Sequence, residues 1–202
     1  MPATWMPMIV VSVVLLGLVW TFSRYNALVR SKKRVEEAWS GIDVQLRRRA
    51  SLLPNLMEIV KGYASHEREV FQEVARARGA LQQASGAGQA SEANTMLSQA
   101  LVRVFAVVEN YPQLRASENF MSLRSDLGDV EDKVSFARQF YNRTVLDYNT
   151  RLETYPDAIL AKTFEFAPAE FFEADEHARA EISMSFARDH VPPQQPATPP
   201  VA

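Results

Sequence analysis

Hydrophobic residues recur along most of the chain at the seven-residue spacing of packed helices. Between residues 35 and 81, two series with this spacing are apolar or aromatic at twelve of their fourteen positions. The first series is Val35, Ile42, Arg49, Leu56, Tyr63, Val70 and Ala77, and the second is Trp39, Leu46, Leu53, Val60, Glu67, Val74 and Leu81. Because this spacing keeps one stripe of a helix against its neighbours, the pattern predicts a helix over about residues 24–83. Pro54 clashes with the preceding turn and Ser51 is a suitable N-cap, so we expect a kink or short break near residues 50–54.

A second helix is predicted after a connection at residues 84–91. These residues are small, polar and contain Gly, a composition typical of the loops between helices. The apolar series resumes over residues 93–107. The dipeptide Tyr111-Pro112 then ends this second helix, because the residue before a proline is pushed away from helical geometry.

A third, longer helix is predicted after Ser117, which can act as its N-cap, and it ends at Tyr155-Pro156 after about 38 residues. Its apolar positions are Phe120, Leu123, Leu127, Val130, Val134, Ala137, Tyr141 and Tyr148. Residues 159–172 follow, with four Phe around one Pro, and we expect a short helix and a loop that cap the bundle.

The start of the chain has a different pattern. From Trp5 to Phe22 there is no charged residue, and this apolar run is about 27 Å long as a helix, close to the hydrocarbon thickness of a bilayer. The alternative, a cleaved signal peptide, lacks support because no Lys or Arg precedes the run and no small-x-small site follows it. We therefore assign a transmembrane helix to residues 6–23, through which the protein contacts the lipid bilayer.

Positive charge follows this span closely and predicts its orientation. The residues concerned are Arg24, Arg30, Lys32, Lys33 and Arg34. Since such residues stay on the cytoplasmic side, we expect a single-pass protein of the cell (inner, cytoplasmic) membrane with its N-terminus outside and its C-terminal domain in the cytoplasm. The same charges either set topology alone or also attract anionic lipid.

The predicted fold class is all-α, with a single N-terminal transmembrane helix followed by an antiparallel bundle of long helices. The domain organisation has four parts. Residues 1–5 form a short tail, residues 6–23 the span, residues 24–186 a cytoplasmic helical-bundle domain, and residues 187–202 a Pro-rich tail that we expect to be disordered.

Composition excludes several function classes. The formal net charge is −2, with 22 Lys+Arg against 24 Asp+Glu, so we expect no nucleic-acid partner. The chain has no Cys, which removes disulfides, thiol catalysis and Cys-based zinc sites. Seven Gly without a strand pattern provide neither a phosphate-binding loop nor a strained turn for a nucleophilic Ser.

The three histidines give no metal motif. The chain has no Glu-x-x-His pair of the kind that di-iron bundles use. His66 lacks the second His of a zinc-protease helix, Glu173 and His177 can share one helix face, and His190 lies in the Pro-rich tail. We interpret these as surface residues and assign no catalytic, cofactor-binding or metal-binding residue and no cofactor.

Two polar features of the bundle have more than one interpretation. The triplet at residues 47–49 is favoured to contact acidic residues of the bundle or of a partner, with a solvated cluster as the alternative. Tyr-Asn dipeptides occur at 25–26, 141–142 and 148–149, and Tyr141 and Tyr148 are two turns apart on one face. Buried hydrogen bonds that set helix register are the favoured interpretation, and a groove for a ligand or partner is the other.

Several strings in one order and spacing resemble the LemA family. They are YNALV (25–29), EEAWSGIDVQLRRR (36–49), LLPNL (52–56), VKGYASHE (60–67), VVENYPQLRASENF (107–120) and ARQFYN (137–142). The resemblance covers roughly residues 8–186. It implies an N-terminal anchor, a helical body and no established enzymatic activity. A member of that family has been linked to building intracellular membrane structures, so the resemblance also implies a scaffold role.

The sequence thus supports a non-enzymatic, membrane-anchored scaffold that binds protein partners or itself through its helical bundle. A regulator or sensor in an envelope-stress or membrane-protein turnover pathway is the first alternative. A metal-dependent enzyme is the second.

Overall fold

The computed structural model describes residues 5–172 of the chain. Within that range the chain forms six α-helices and no strand, so the predicted all-α fold is confirmed. The predicted disordered tail at residues 187–202 lies outside the described residues, as do Glu173, His177 and His190.

The first helix, α1, runs without interruption from Trp5 to Tyr63. Its 59 residues extend about 88 Å at the usual rise per residue. Side chains of residues 5–20 are all exposed, whereas from Leu28 onward one face is buried. Among the described residues α1 is the one helix long and apolar enough to cross a membrane, with an 18-residue window of mean hydropathy 2.1 of which none is buried.

α1 continues through Pro54, so a short break at residues 50–54 is wrong, while the alternative, a kink there, stays a prediction. The Ser51 hydroxyl donates a hydrogen bond of 2.8 Å to the carbonyl oxygen of Arg48 inside the same helix and caps nothing there. A proline inside a helix costs about 3 kcal/mol. Leu53 and Leu56 on either side of it are fully buried, and each contributes about 1.5–3 kcal/mol, which offsets that cost.

The chain breaks instead at residues 64–67, between α1 and α2 (Arg68–Gln83), so the single helix predicted over residues 24–83 is two. Ala64 remains buried and its N–H donates to the carbonyl oxygen of Val60 at 2.8 Å. Glu67 is the one carboxylate in the two seven-residue series. A helix that continued through it would bury an unpaired charge in the seam.

The connection to α3 (Gly86–Glu109) is shorter than predicted, since residues 84–85 alone leave the helices rather than residues 84–91. Gly86 makes the turn with a φ of +82°, a conformation that glycine adopts without strain. The small residues after it are helical because Ala87 and Ala90 are buried in the core. Their composition resembled a loop, but it serves close packing.

The remaining helices agree with the predicted boundaries. α3 ends just before Tyr111-Pro112, and α4 (Pro112–Arg115) is a single turn. Ser117 stands at the N-cap position of α5 (Glu118–Glu153), which has 36 residues. The predicted short helix is α6 (Asp157–Thr163).

The core divides into two clusters along α1 and α5, which run antiparallel, so the predicted antiparallel bundle is confirmed. The distal cluster lies far from the apolar end of α1 and joins α1 to α5: Leu53, Leu56, Val60, Ala64, Val74, Ala77, Leu97, Ala100, Leu101, Val104, Val108, Leu114, Phe120, Leu123 and Leu127. The proximal cluster lies nearer that end: Val35, Ala38, Ile42, Leu46, Ala87, Ala90, Val130, Val134, Tyr141, Val145, Tyr148 and Phe172.

Candidate functional site: a clamp for an extended segment

After α6 the chain reverses and runs along α5 without regular structure. Glu165 takes a φ of 55°, in the left-handed region, and the N–H of Phe166 donates to the carbonyl oxygen of Ala161 at 2.9 Å. This six-residue bond across a left-handed residue is a common way to end a helix. We call the residues that follow, 166–172, the docked segment.

Two tyrosines of α5 hold the docked segment by its main chain. The hydroxyl of Tyr148 donates to the carbonyl oxygen of Ala167 at 3.0 Å. The hydroxyl of Tyr141 donates to the carbonyl oxygen of Glu170 at 2.8 Å. Both tyrosine side chains are buried, and the two hydrogen bonds that they donate are partly buried.

Two asparagines next to those tyrosines hold the segment as a neighbouring strand would. The side-chain amide of Asn142 donates to the carbonyl oxygen of Phe172 and accepts from its N–H, both at 2.9 Å. The amide of Asn149 makes the same pair of bonds with Ala169, again both at 2.9 Å. We call these two asparagines and the two tyrosines the clamp.

The seven-residue repeat of the Tyr-Asn pair matches the geometry of an extended chain. Two turns of α-helix separate Asn142 from Asn149, about 10.5 Å along the axis. The residues that they hold, Ala169 and Phe172, are three apart in sequence, which is about 10 Å in extended conformation. The two tyrosines likewise hold carbonyl groups three residues apart. The repeat on the helix therefore matches main-chain groups three residues apart along an extended chain, which is the repeat of polyproline-II geometry and not of a β-strand.

Aromatic contacts fix both ends of the docked segment. Phe172 is 1% exposed, and its ring lies 6.4 Å from that of Trp39 on α1. At the other end the ring of Tyr25 lies 4.9 Å from Phe164 and 5.8 Å from Phe166. Tyr25 belongs to the remaining Tyr-Asn pair, at residues 25–26, and it contacts the segment through its ring.

The electrostatics of the clamp keep its hydroxyl groups as donors. Burial raises the pKa of Tyr148 above its ordinary value. Burial also raises the pKa of Tyr141, and the nearby Glu170 carboxylate adds to that shift. Both phenols therefore stay protonated and donate their hydrogen bonds throughout the neutral range.

The sequence showed that Tyr141 and Tyr148 share one helix face, but it did not show that the docked segment binds there. Tyr141 and Tyr148 form partly buried hydrogen bonds, but with an extended segment and not with another helix, so the favoured interpretation that they set helix register stays a prediction. The roles of Asn142 and Asn149 were missed. The available signal was that Asn follows Tyr at both positions of a two-turn repeat, because a side-chain amide is the group that pairs with a main-chain N–H and C=O together.

A second polar group lies between the two core clusters. Arg49 is 5% exposed, and its guanidinium donates to Asn94 and, at 3.1 Å, to the hydroxyl of Ser98 on α3. It also pairs with the carboxylate of Glu131 on α5 at 2.7 Å. Burial lowers the pKa of Arg49, and the Glu131 charge opposes that shift. The favoured contact of the Arg triplet to an acidic residue is confirmed for Arg49, which ties together α1, α3 and α5.

Metal-ligating side chains are dispersed in the part of the chain that the structure describes. Between residues 5 and 172 no three His, Asp or Glu side chains lie close enough to hold a metal ion. His66 is exposed in the connection between α1 and α2. The clamp is the candidate site because its four side chains present hydrogen-bond donors and acceptors to a main chain.

Comparison with known proteins places this geometry in context. A sequence model described as LemA family matches residues 38–186, which include the clamp and the docked segment. The magnetosome protein MamQ of Magnetospirillum gryphiswaldense is 26% identical over an alignment of 175 positions, which covers 74% of this chain and 64% of that protein. The magnetosome protein MamQ 2 of Paramagnetospirillum magneticum is also 26% identical, over an alignment of 176 positions that covers 74% of this chain and 65% of that protein.

A third relative is similar over more of its length. Protein LemA of Metamycoplasma hominis is 22% identical over 167 residues, 82% of this chain and 76% of that protein. The chain spans just under two thirds of the length of the MamQ relatives.

Proposed function

The chain belongs to the LemA family, and on that premise we propose that it is a single-pass, non-enzymatic membrane protein whose helical body binds protein partners or a second copy of itself. Two observations support this proposal separately. One is the bare apolar end of α1, and the other is the clamp.

The apolar end of α1 supports the membrane anchor. All side chains from Trp5 to Trp20 are exposed, a continuous apolar surface far larger than soluble proteins leave in water. A bilayer removes that surface from water, and the closed hydrogen-bonding of a helix suits it to cross the hydrocarbon layer. The MamQ relatives are magnetosome proteins by name, which agrees with a membrane-associated role for this chain.

The basic residues beyond the span support a cytoplasmic body at the cell membrane. Arg30 and the basic run at residues 32–34 are all exposed, shortly after the span. Basic residues in this position remain on the cytoplasmic side of the membrane. A reporter fused after Ala202 should be active in the cytoplasm. Activity of that reporter only outside the cell would overturn the orientation.

The single observation that carries the binding role is that all six clamp bonds reach main-chain atoms of the docked segment. Main-chain recognition is tolerant of sequence, as when a sheet edge accepts an added strand. Any extended segment with an N–H at the positions of Ala169 and Phe172 satisfies the clamp. The buried ring of Phe172 adds a preference for an aromatic residue at that position.

We infer that a segment from a partner or a second copy exchanges with the docked segment. The test places a photo-crosslinking residue at Leu146, which is exposed one turn from both clamp asparagines. In native membranes it should trap one dimer or one defined partner. The matched control is the same residue at Val102, exposed on α3. Monomer and scattered neighbours at both positions would contradict the proposal.

A competitor sharpens this experiment. A synthetic peptide with the sequence of residues 166–172 should reduce the Leu146 adduct, because it offers the clamp the same main-chain groups. The same peptide with Ala169→Pro lacks the N–H that Asn149 accepts, so it should compete much less. Equal competition by the two peptides would show that the adduct does not form at the clamp.

A further inference from the structure

Large apolar side chains are exposed around the short helix α6. Tyr155 is 78% exposed, Ile159 59% and Phe164 52%. On the opposite side of the same helix Asp157 and Ala161 are buried against the body. The helix therefore has one face that packs on the bundle and another that presents apolar groups outward.

Contacts with α1 fix the position of α6 along that helix. Asp157 pairs with Arg24 at 3.9 Å, and the ring of Phe164 lies 4.9 Å from that of Tyr25. Arg24 and Tyr25 come two and three residues after Phe22, the last residue of the uncharged run. At the rise of an α-helix they lie about 3–4.5 Å beyond the end of that run.

This height coincides with the polar boundary of a bilayer. The hydrocarbon core is about 30 Å thick and the whole bilayer about 40–45 Å, so each headgroup layer is about 5–8 Å deep. When the apolar run spans the hydrocarbon, α6 and its flanking residues stand within one headgroup layer. This placement rests on the proposed membrane anchor. The lipid alone then covers the apolar face of α6.

We propose that α6 with Tyr155 and Phe164 forms a second membrane contact, a collar whose apolar face lies in the headgroup layer beside the span. Aromatic and aliphatic side chains at this depth are stabilised by the boundary between hydrocarbon and water. The collar holds the body against the membrane at two points, so the α1 rod cannot tilt freely.

The charges around α6 agree with a lipid surface as the occupant. The buried carboxylate of Asp157 lies between two guanidinium groups, Arg24 at 3.9 Å and Arg151 at 3.6 Å, which compensate its negative charge near lipid phosphates. Lys162 in the last turn is exposed and Arg24 is partly exposed, and both are at the height of the phosphates. Glu165 is also exposed, but it belongs to the turn that leads into the docked segment.

The test uses the full chain, which has no Cys and so accepts a single fluorescent label at a chosen position. Ile159→Cys and Phe164→Cys are labelled with the environment-sensitive dye NBD and reconstituted in vesicles of phosphatidylcholine and phosphatidylglycerol. Lipids carrying a shallow doxyl quencher should quench both labels at least about threefold more strongly than a label at Val102→Cys on α3, because only the collar reaches the headgroup layer.

A label at Leu15→Cys, in the middle of the apolar run, separates this inference from the anchor on which it rests. The collar would be overturned, but not the anchor, if the label at Leu15 is quenched while the labels at 159 and 164 are quenched no more than the label at Val102. No quenching at Leu15 by lipids that carry a deep doxyl quencher, near the bilayer centre, would overturn both. Labels at 159 and 164 that are shielded from lipid quencher and from aqueous iodide alike would show that protein covers this face, which also overturns the collar.

Discussion

In the distal half of the body the α1–α5 pair is covered by two further helices, α2 and α3, and the buried residues there are almost all aliphatic. In the proximal half the same pair is covered by the first turns of α3 and by the docked segment, which the clamp holds through six polar bonds. One half is closed by helices whose backbone groups are satisfied internally. The other half is closed by an extended segment whose main-chain N–H and C=O groups are hydrogen-bonded by side chains of the clamp.

The difference has consequences for stability and for exchange. A helix in the distal core cannot leave without exposing a large apolar area, so that half unfolds as a whole. The docked segment buries chiefly Phe172 and is otherwise held by bonds that another main chain can replace. We therefore expect a partner to enter at the proximal half while the fold persists.

The largest effect is expected for Leu56→Ala in the distal core. Leu56 is fully buried, and truncating such a residue removes buried methyl groups and leaves a cavity, at a cost of about 2–5 kcal/mol. Urea unfolding of the body, followed by circular dichroism, should show this loss in a single transition. Val102→Ala on exposed α3 surface is the control, with a change below about 0.5 kcal/mol.

Phe172→Ala should behave differently although Phe172 is as deeply buried as Leu56. In a closed core Phe→Ala costs about 3–5 kcal/mol. Here the loss is limited by the free energy of docking, since the segment can detach and leave the helices folded. Limited proteolysis should cut next to Phe171 at least about tenfold faster than in the unsubstituted chain, because cleavage follows the detached population.

The contrast between the halves fails if Phe172→Ala lowers the global free energy of unfolding as much as Leu56→Ala does. It also fails if the proteolysis rate at Phe171 is unchanged while global stability falls. Either result would make the docked segment an inseparable part of one cooperative core.

The double substitution Asn142→Ala with Asn149→Ala should have a smaller effect, again confined to the segment. It removes four main-chain bonds, each worth about 1 kcal/mol net. Amide hydrogen exchange at Ala169 and Phe172 should accelerate by roughly 30-fold or more, since about 2 kcal/mol of docking free energy is lost even when water replaces some bonds. Exchange in the distal helix α3 serves as the internal control and should not change.

The sequence predicted the long helix α5 and the antiparallel packing of the bundle because both follow from the seven-residue repeat, but the repeat did not show the break at residues 64–67. It failed at Pro54, where burial of neighbouring leucines outweighs a local penalty, and at residues 84–91, where small residues serve packing. These are tertiary effects that no local pattern contains. The clamp could be predicted only in part. The Tyr-Asn repeat marked the helix face, but no pattern near residues 166–172 indicated that their main chain would bind to that face.

The smallest effect concerns pH and tests the tyrosine bonds of the clamp. The pKa values of Tyr141 and Tyr148 are raised by burial, with Glu170 adding to the shift at Tyr141, so the docked state holds these protons more tightly than the free chain. Stability from these groups is complete below the ordinary tyrosine pKa of about 10 and is lost as pH rises through the raised values. A label at Phe171→Cys should lose fluorescence anisotropy above about pH 10.

In the Tyr141→Phe, Tyr148→Phe background, which costs about 1 kcal/mol per bond, that loss of anisotropy should be much weaker, because no phenol remains in the clamp to ionise. Identical anisotropy curves for the two backgrounds would mean that the tyrosine hydroxyls contribute nothing to docking, and that the asparagines and Phe172 alone distinguish the proximal half from the distal one.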